Sequence, residues 1–292
     1  MTQPGPLPDH AVGPACEPGV PAALDAAVVR LTAPNASMMT GPGTNSYVVG
    51  TDEVVVIDPG PVIDAHLDAL RGVIAGRRVT AVAVTHHHRD HAPAARVLAD
   101  AVGAPVVGHG HDGLVVDVAL AEGSELFAGT DVLVAWHTPG HASDHLCFLA
   151  PSSGWLFTGD HVMQGSTVVI RPPDGDLLAY LTSLERIRDS HAVQRLAPGH
   201  GRVLESPAAV ITAIVAHRQA RGTVVLDALR EHGPGTAAQL RPFAYADVGS
   251  DRDVVATATC WAHLLALVGE GTATTSSVRD DPEAVFTATP GS

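Results

Sequence analysis

The residues best able to do chemistry lie in one histidine-rich stretch, residues 85–91, which reads Thr-His-His-His-Arg-Asp-His. The apolar run before it, residues 79–84, predicts a buried strand. In an extended backbone, residues two apart point to the same side, so His86 and His88 can approach one ion together. A solvated loop of titratable residues is the competing interpretation. The choice between the two depends on whether distant residues complete a metal site.

Three other segments supply such residues, each at the end of a predicted strand. In each of them a glycine comes directly before a histidine or an aspartate: Gly140-His141, Gly159-Asp160 and Gly199-His200. Because glycine permits tight turns and close backbone approach, the side chain that follows can reach a shared centre. The sequence therefore offers seven candidate metal ligands: His86, His88, Asp90, His91, His141, Asp160 and His200.

These seven side chains are enough for two metal ions. We expect one ion to be held by His86, His88 and His141, and a second by Asp90, His91 and His200, with Asp160 bridging the two. Neutral imidazoles and carboxylates suit zinc best, and Mn²⁺ or Fe²⁺ are possible on ligand type alone. The expected cofactors are thus two divalent cations, Zn²⁺ before the others.

The order of these motifs resembles that of the metallo-β-lactamase superfamily of hydrolases. The resemblance covers approximately residues 26–270, and the segments 41–47 and 56–60 are similar to the branch that contains glyoxalase II and the β-lactamase-like hydrolases and endoribonucleases. It implies an α/β fold, a four-layer αβ/βα sandwich of two mixed sheets with helices outside. The motifs that carry it are Thr-His-x-His-x-Asp-His at 85–91, Pro-Gly-His at 139–141, Gly-Asp at 159–160 and Pro-Gly-His-Gly at 198–201.

Local patterns place these motifs on secondary structure in the way that this architecture requires. Strands and helices alternate in the first half of the chain, and residues 125–149 are rich in strand-forming residues. The predicted strands are 26–33, 45–49, 53–57, 79–84, 105–108, 132–138, 155–158 and 193–197, and the predicted helices before residue 208 are 62–75, 91–102 and 177–190.

Composition divides the chain into three parts. Residues 1–21 are rich in proline and glycine, and predict a disordered or loosely draped arm rather than a signal peptide. Residues 22–207 form the expected catalytic domain. Residues 208–292 contain three helical patterns and a predicted hairpin around Asp280-Asp281-Pro282, which resemble a small winged-helix domain of the β-lactamase-like branch.

Charge and cysteine content narrow the choice of partners. The formal charge is −14, all 17 cationic residues are arginine, and Arg279 is the only cation in residues 254–292. Because a grip on phosphates needs a basic surface, RNA is a possible but not a favoured partner, and the C-terminal part is expected to cover the substrate or form a homodimer. Three cysteines without a pairing pattern indicate the cytoplasm. No apolar run approaches the roughly 20 residues needed to cross a bilayer.

Five residues near the motifs have less certain roles. Asp58 follows a strand, so it either hydrogen-bonds a ligand histidine or simply forms a turn before proline. His145 and His161 flank the ligand motifs and are candidates for protonating the leaving group, although a structural role is more common for such residues. His87 alternates away from its neighbours and is excluded as a ligand. Cys147 has apolar neighbours and is expected in the core.

The chemistry that follows is metal-assisted hydrolysis. Two divalent ions about 3.5–4 Å apart lower the pKa of a bridging water, and the hydroxide attacks a carbonyl carbon or a phosphorus atom. We expect Asp90 to be the catalytic residue that orients this hydroxide and takes its proton. A serine nucleophile is not expected, because the chain has no Gly-x-Ser-x-Gly elbow.

The substrate class is ranked by the resemblance. It implies that true β-lactamases lack a carboxylate at the position of Asp160, whereas thioesterases and nucleases of the superfamily have one. We therefore expect a small-molecule acyl substrate, a thioester or ester. The alternative is a metal-dependent endoribonuclease or phosphodiesterase, and a non-catalytic metal-binding module is a third, weaker interpretation.

Overall fold

Two mixed β-sheets of seven strands each form the centre of the molecule, in a computed structural model that describes residues 4–277 and 280–290. The strands of both sheets, in chain order, are β1 Ala11–Val12, β2 Ala22–Ala23, β3 Val28–Thr32, β4 Asn45–Gly50, β5 Glu53–Ile57, β6 Arg78–Ala83, β7 Val106–Gly108, β8 Val118–Ala119, β9 Glu125–Ala128, β10 Asp131–His137, β11 Leu146–Ala150, β12 Trp155–Gly159, β13 Arg195–Pro198 and β14 Val203–Glu205.

Six α-helices, a short 3₁₀ helix at Ser250–Arg252 and a small hairpin complete the described structure. The helices are α1 Asp64–Ile74, α2 Ala94–Val102, α3 Leu177–Arg188, α4 Pro207–His232, α5 Ala237–Ala244 and α6 Asp253–Gly269, and the hairpin strands are β15 Ala273–Thr275 and β16 Phe286–Ala288. No helix within the described ranges is long and apolar enough to span a membrane.

Parallel pairing in each sheet brings two chain segments to the same edge. The first sheet has the order β2-β3-β4-β5-β6-β7-β8, and β5 runs parallel to β6 with Ile57 opposite Ala83. The second has the order β1-β14-β13-β12-β11-β10-β9, and β12 runs parallel to β13 with Gly159 opposite Pro198. Because parallel strands end at the same side, the residues after each pair leave the sheet together.

Apolar side chains between the sheets hold the two layers face to face. Tyr47 and Ile57 of the first sheet share this core with Leu133, Phe148 and Phe157 of the second, and all five are at most 2% exposed. Helices α1 and α2 bury Leu67 and Leu98 on the outer side of the first sheet, and α3 and α4 cover the second. The predicted four-layer sandwich is therefore confirmed.

The C-terminal helical region is built around a core of its own. Residues of α5, α6 and the hairpin pack around Phe286, which is fully buried. Helix α4 contributes to two cores, with Ile211 against the second sheet and Leu229 in the C-terminal core. The predicted helices and hairpin are present here, while Arg279, on which the charge argument partly rested, lies outside the described residues.

Most predicted elements agree with the structure to within a few residues, and one helix start is wrong. The helix predicted to begin at His91 begins at Ala94 instead, because the chain first makes a turn in which the backbone N–H groups of His91 and Ala92 both donate to the His88 carbonyl. Pro93 then precedes the helix, where its fixed φ and missing N–H are well tolerated. His91 therefore belongs to the ligand loop and not to helix α2.

The N-terminal segment lies along the edge of the second sheet. Ala11 and Val12 pair antiparallel with Leu204 and Val203 of β14. All three cysteines are unpaired, and Cys147 is fully buried, as the sequence predicted.

The aromatic packing between the sheets gives a test of the core. Phe157→Ala should lower the free energy of unfolding by about 3–5 kcal/mol, because the Phe157 ring is 1% exposed and lies 5.1 Å from the Tyr47 ring. The matched control is Phe127→Ala in β9 of the same sheet, which is 57% exposed and should cost less than about 1 kcal/mol. Chemical denaturation of both variants measures the difference, and equal losses would contradict this account of the core.

Candidate metal centre

All seven predicted ligands lie at one edge of the sandwich, in the loops that follow β6, β10, β12 and β13. They form two groups in which each residue offers one ligand atom and these atoms lie within 4.8 Å of one another. The first group is His86, His88, His141 and Asp160, and the second is Asp90, His91, Asp160 and His200. Asp160 is common to both, which is the division that the sequence predicted.

The first group presents three imidazole nitrogens at the spacing of metal ligands. The Nδ1 atom of His88 lies 2.9 Å from Nε2 of His86 and 3.0 Å from Nε2 of His141. The Oδ2 atom of Asp160 lies 3.6 Å from the same nitrogen of His141. Ligands of one tetrahedral zinc ion lie about 3.3 Å apart when each metal–nitrogen distance is about 2.0–2.1 Å. The group therefore fits a single ion.

In the second group, buried imidazole nitrogens and carboxylate oxygens lie close together without hydrogen bonds between them. Nε2 of His200 lies 3.2 Å from Oδ2 of Asp90 and 3.2 Å from Oδ1 of Asp160, and Nε2 of His91 lies 3.3 Å from the same Asp160 oxygen. Both nitrogens and that oxygen are buried, and none forms a hydrogen bond with another residue of the described chain. Since buried polar atoms almost always have a partner, this arrangement fits a cation that binds all of them.

A buried carboxylate fixes the orientation of His91. Asp58 accepts hydrogen bonds from the Thr85 backbone N–H at 2.7 Å, from the Thr85 hydroxyl at 2.7 Å and from Nδ1 of His91 at 2.8 Å. With the proton on Nδ1, Nε2 of His91 is free to face the centre. Both roles considered for Asp58 are present, because it also adopts a turn conformation with φ of 47° directly before Pro59.

The other histidines are oriented by partners that the sequence did not reveal. His141 donates from Nδ1 to the Val169 carbonyl at 2.7 Å, and His200 donates from Nδ1 to the Gly43 carbonyl at 3.3 Å. Nδ1 of His86 lies 3.0 Å from the Thr85 hydroxyl. Both Thr85 and Gly43 lie in segments that the sequence analysis singled out, Thr85 in the stretch 85–91 and Gly43 in the segment 41–47. Only the fold shows that they touch the ligands.

Charge differs between the two groups. Burial lowers the pKa of His86 well below its usual value and that of His88 to about 4, so these imidazoles are neutral, the form that binds metal. Burial also opposes charge on His200, but the carboxylates of Asp160 and Asp90 outweigh it and raise its pKa to about 9. Asp160 and Asp58 raise the pKa of His91 in the same way. The second group therefore stabilises positive charge.

The centre opens into a cavity of about 730 Å³. His88, Asp90, His141 and Asp160 line it, so both groups are reached from this space. The lining also includes apolar residues of α6 and of the loops before it, whereas Arg89, Arg171 and Asp174 add polar groups that sequence analysis did not single out. Helix α6 of the C-terminal region thus forms part of the wall.

The two histidines considered as proton donors do not line this cavity. His145 and His161 are both fully buried, His161 against the Tyr180 ring at 4.8 Å. They support the packing behind the centre. His87 does line the cavity, but its Nδ1 lies 2.9 Å from the Asp144 carboxylate, and with His88 and Asp174 it forms only a third, half-buried group.

Two glycines in the ligand loops are required by close contacts. A Cβ atom on Gly199 would lie 2.7 Å from Cε1 of His91 and 2.8 Å from Oδ1 of Asp160. A Cβ atom on Gly140, which has φ of 142°, would lie 2.3 Å from the Tyr180 Cα. The predicted reason for glycine before each ligand, close approach of the backbone, holds at both positions.

The hydrogen bond to His91 gives a test of metal binding. Asp58→Asn should weaken metal affinity about 10–100-fold, because the amide cannot hold His91 in the same protonation state and orientation. Asp144→Asn is the matched control, since Asp144 is equally buried and contacts His87, which lies outside the two groups. Competition with a chromogenic chelator measures both affinities. A loss in the control as large as in Asp58→Asn would contradict the role given to Asp58.

The space at Gly199 gives a second, independent test. Gly199→Ala should reduce the number of metal ions bound per chain, because the added methyl group displaces His91 and Asp160 from each other. Gly72→Ala in α1 is the control, since a Cβ atom there meets nothing within 4 Å. Elemental analysis of the purified variants gives the metal content. Full occupancy in Gly199→Ala would show that the two residues need not stay in place.

Comparison with known proteins agrees with this geometry. Residues 39–200 match the family model described as the metallo-beta-lactamase superfamily. A beta-lactamase-like protein 2 homolog from Drosophila melanogaster is 34% identical over 224 residues, which cover 70% of this chain and 74% of that protein. An atrochrysone carboxyl ACP thioesterase from Aspergillus chevalieri is 33% identical over 211 residues, covering 70% of this chain and 66% of that enzyme.

Solved structures share the whole architecture. A metallo-beta-lactamase family protein from Thermus thermophilus superposes with a TM-score of 0.77 at 22% identity, covering 91% of this chain and 100% of that one. A beta-lactamase domain protein from Burkholderia ambifaria gives a TM-score of 0.78 at 22% identity, covering 94% and 95%. At this identity the two structures establish the fold. The family model and the Drosophila relative establish the family, and the chain belongs to the metallo-beta-lactamase superfamily.

Proposed function

We propose that this protein is a hydrolase that cleaves thioesters, or related esters, with the help of two divalent cations, Zn²⁺ before Mn²⁺ or Fe²⁺. The observation that carries the proposal is the position of Asp160. Its Oδ1 atom faces His91 and His200, and its Oδ2 atom faces His141. One carboxylate placed between two sets of ligands is the arrangement expected of a bridging residue in a two-metal hydrolase.

Two divalent cations held by the two groups of residues would lower the pKa of a bound water toward neutrality and polarise the substrate carbonyl. Asp90 lies at the cavity surface with Oδ2 3.2 Å from Nε2 of His200. It is therefore placed to orient the attacking water and to hold its proton. A carbon–oxygen bond forms, the carbon–sulfur bond breaks, and the thiol leaves with a proton.

Thioesters are favoured over phosphodiesters by the surroundings of the centre. The wall that α6 contributes is apolar, with Val254, Val255 and Ala258, and that helix carries no cation. Arg89 and Arg171 also line this cavity, but along α6 a polyanion would meet no positive charge, and the chain as a whole has a net charge of −14. The relatives named as ACP thioesterases, 31–33% identical, add support for acyl substrates.

An open cavity argues against the non-catalytic alternative. Structural zinc sites are closed by four protein ligands, whereas catalytic sites leave a position for water or substrate. Here four residues of the two groups face a space of about 730 Å³, within the 300–1,000 Å³ typical of small-molecule sites.

Substitution of the shared carboxylate tests the proposal. Asp160→Ala should lose metal and lower kcat/KM for a simple acyl thioester by at least about a thousandfold, because the variant cannot hold two cations together. Asp100→Asn, on the exposed side of α2, should change neither quantity.

The substrate class is tested on the wild-type enzyme with a panel of a thioester, a lactone, a phosphodiester and single-stranded RNA. The proposal expects the thioester to be hydrolysed fastest. RNA cleavage without thioester hydrolysis would overturn it in favour of the endoribonuclease, and an Asp160→Ala variant with two metals and normal turnover would overturn the bridging role.

A further inference from the structure

A second cavity adjoins the one at the metal centre. It has a volume of about 390 Å³ and lies between α4, α6 and the segment 163–169. Met39, Val169 and Val255 border both cavities, so the two cavities adjoin at these apolar side chains. An elongated substrate whose reacting carbonyl lies at the metal centre can therefore extend along this boundary into the second cavity.

The second cavity is positively charged in a strongly acidic protein. Three arginines line it, Arg218, Arg221 and Arg252, against a single carboxylate, Asp247. Asp247 is engaged by Arg221, with oxygen–nitrogen distances of 2.7 and 2.9 Å. The charges of Arg218 and Arg252 are thus left for a ligand, although exposed Arg252 also lies 3.8 Å from the Asp251 carboxylate.

Arg218 is the more telling of these two arginines. Arg218 is only 3% exposed. Its guanidinium group donates a hydrogen bond to the Val168 carbonyl and lies 5.6 Å from the centre of the Tyr180 ring. It forms no ion pair with a carboxylate in residues 4–277 or 280–290. Because a buried charge without a counter-ion is unfavourable, an anion in the adjoining cavity would stabilise this arginine.

Neutral hydrogen-bonding groups beside the arginines are also without partners. The hydroxyl of Tyr245, a residue that is 6% exposed, and Nδ1 of His217 are both buried, and neither bonds to another described residue. Burial and the neighbouring charges of Arg218 and Arg221 lower the pKa of His217 to about 4, so its ring is neutral. The cavity therefore combines cationic groups with vacant donors and acceptors, as a site for a phosphate with adjacent amides requires.

We propose that this second cavity, here called the arginine pocket and defined by His217, Arg218, Arg221, Tyr245 and Arg252, binds the phosphate of a phosphorylated pantetheine arm on the thiol side of the substrate. The inference rests on the proposed thioesterase function and specifies its substrate class. The same arm occurs in coenzyme A and on carrier proteins, so either source fits the pocket. Binding at a distance from the reacting carbonyl raises kcat/KM for thioesters that carry the phosphate.

The test compares three thioesters of one acyl group with the metal-loaded, full-length enzyme. Hexanoyl-coenzyme A and the hexanoyl carrier protein contain the phosphate, and hexanoyl-N-acetylcysteamine does not. We expect kcat/KM at least about tenfold higher for one or both phosphate-bearing substrates, the gain expected from one or two charge-assisted contacts. The better of the two identifies the source. Equal kcat/KM for all three would overturn the proposal.

Two mild substitutions test whether the preference for phosphate-bearing thioesters arises in the arginine pocket. Arg252→Gln changes an exposed side chain, and Tyr245→Phe removes only the unpartnered oxygen. Each should lower the preference for phosphate about three- to tenfold, mainly through KM. Arg71→Gln on α1 removes one exposed charge that belongs to neither cavity lining and should leave the preference unchanged. A phosphate preference that both pocket variants retain would place the anion elsewhere and refute the arginine pocket.

A binding measurement separates this inference from the proposed hydrolysis. The S-hexyl thioether of coenzyme A cannot be hydrolysed, and titration calorimetry should show that it binds at least about tenfold tighter than the S-hexyl thioether of N-acetylcysteamine, with the difference reduced in Arg252→Gln. If this holds while no thioester is turned over, the pocket stands and the proposed function fails. If thioesters are turned over but the two thioethers bind equally, the function stands and the pocket fails.

Discussion

The structure of the metal centre depends on one buried carboxylate, that of Asp160. Asp160 directly follows β12 and is only 8% exposed, and a largely buried charge is stable only when positive charge or strong donors surround it. The structure supplies them, because the pKa of Asp160 is held well below its usual value, against the effect of burial, by the nearby His200 and His91. The loops that bring these histidines to Asp160 come from both sheets, so the packing of the sandwich and the integrity of the centre depend on each other.

The sandwich explains why the ligands meet although they are spread along the sequence from His86 to His200. Each sheet contributes a parallel strand pair to the edge where they meet, β5 with β6 and β12 with β13, and the ligand loops follow β6, β12 and β13 there. The backbone N–H of Asn45 donates to the Gly199 carbonyl and its side chain donates to the Pro198 and Gly201 carbonyls, which joins the first sheet to the last ligand loop. Scaffold strands thus fix the loops, and the loops carry the chemistry.

The sequence predicts the ligands well and their surroundings poorly, for a physical reason. Metal ligands are local in type and spacing: the stretch 85–91 and the three Gly-His or Gly-Asp steps could be recognised one by one. Two other elements can be predicted equally well. The strand 53–57 is a short, continuous run of β-branched residues, and the helix that begins at Leu177 has an apolar periodicity and is capped by the Asp176 carboxylate. The start of α2 was missed because a turn at residues 88–92 competes with the helix, and the hydrophobic pattern does not register such a turn.

Contacts between residues that are distant in sequence cannot be predicted from residue types and spacing. The group that orients His141 is the backbone carbonyl of Val169. Every residue has such a carbonyl, so the sequence does not mark this one as a partner of His141. The arginine pocket arises only where α4 and α6 meet the segment 163–169, and His217, Arg218 and Arg221 look in sequence like the polar face of an ordinary helix. A cytoplasmic location and a homodimer stay predictions of the sequence. The charge argument concerned residues 254–292 and does not extend to α4, where Arg218 and Arg221 line a cavity.

Helix α4 has a further consequence for how the protein unfolds. Its first half packs with Ile211 and Ile214 on the second sheet, and its second half packs with Val225 and Leu229 in the C-terminal core. A single uninterrupted helix that belongs to two cores cannot lose one half without exposing the apolar side chains of the other. The sandwich and the C-terminal region should therefore melt in one cooperative transition, and a ligand held between them should protect the amide hydrogens of both from exchange.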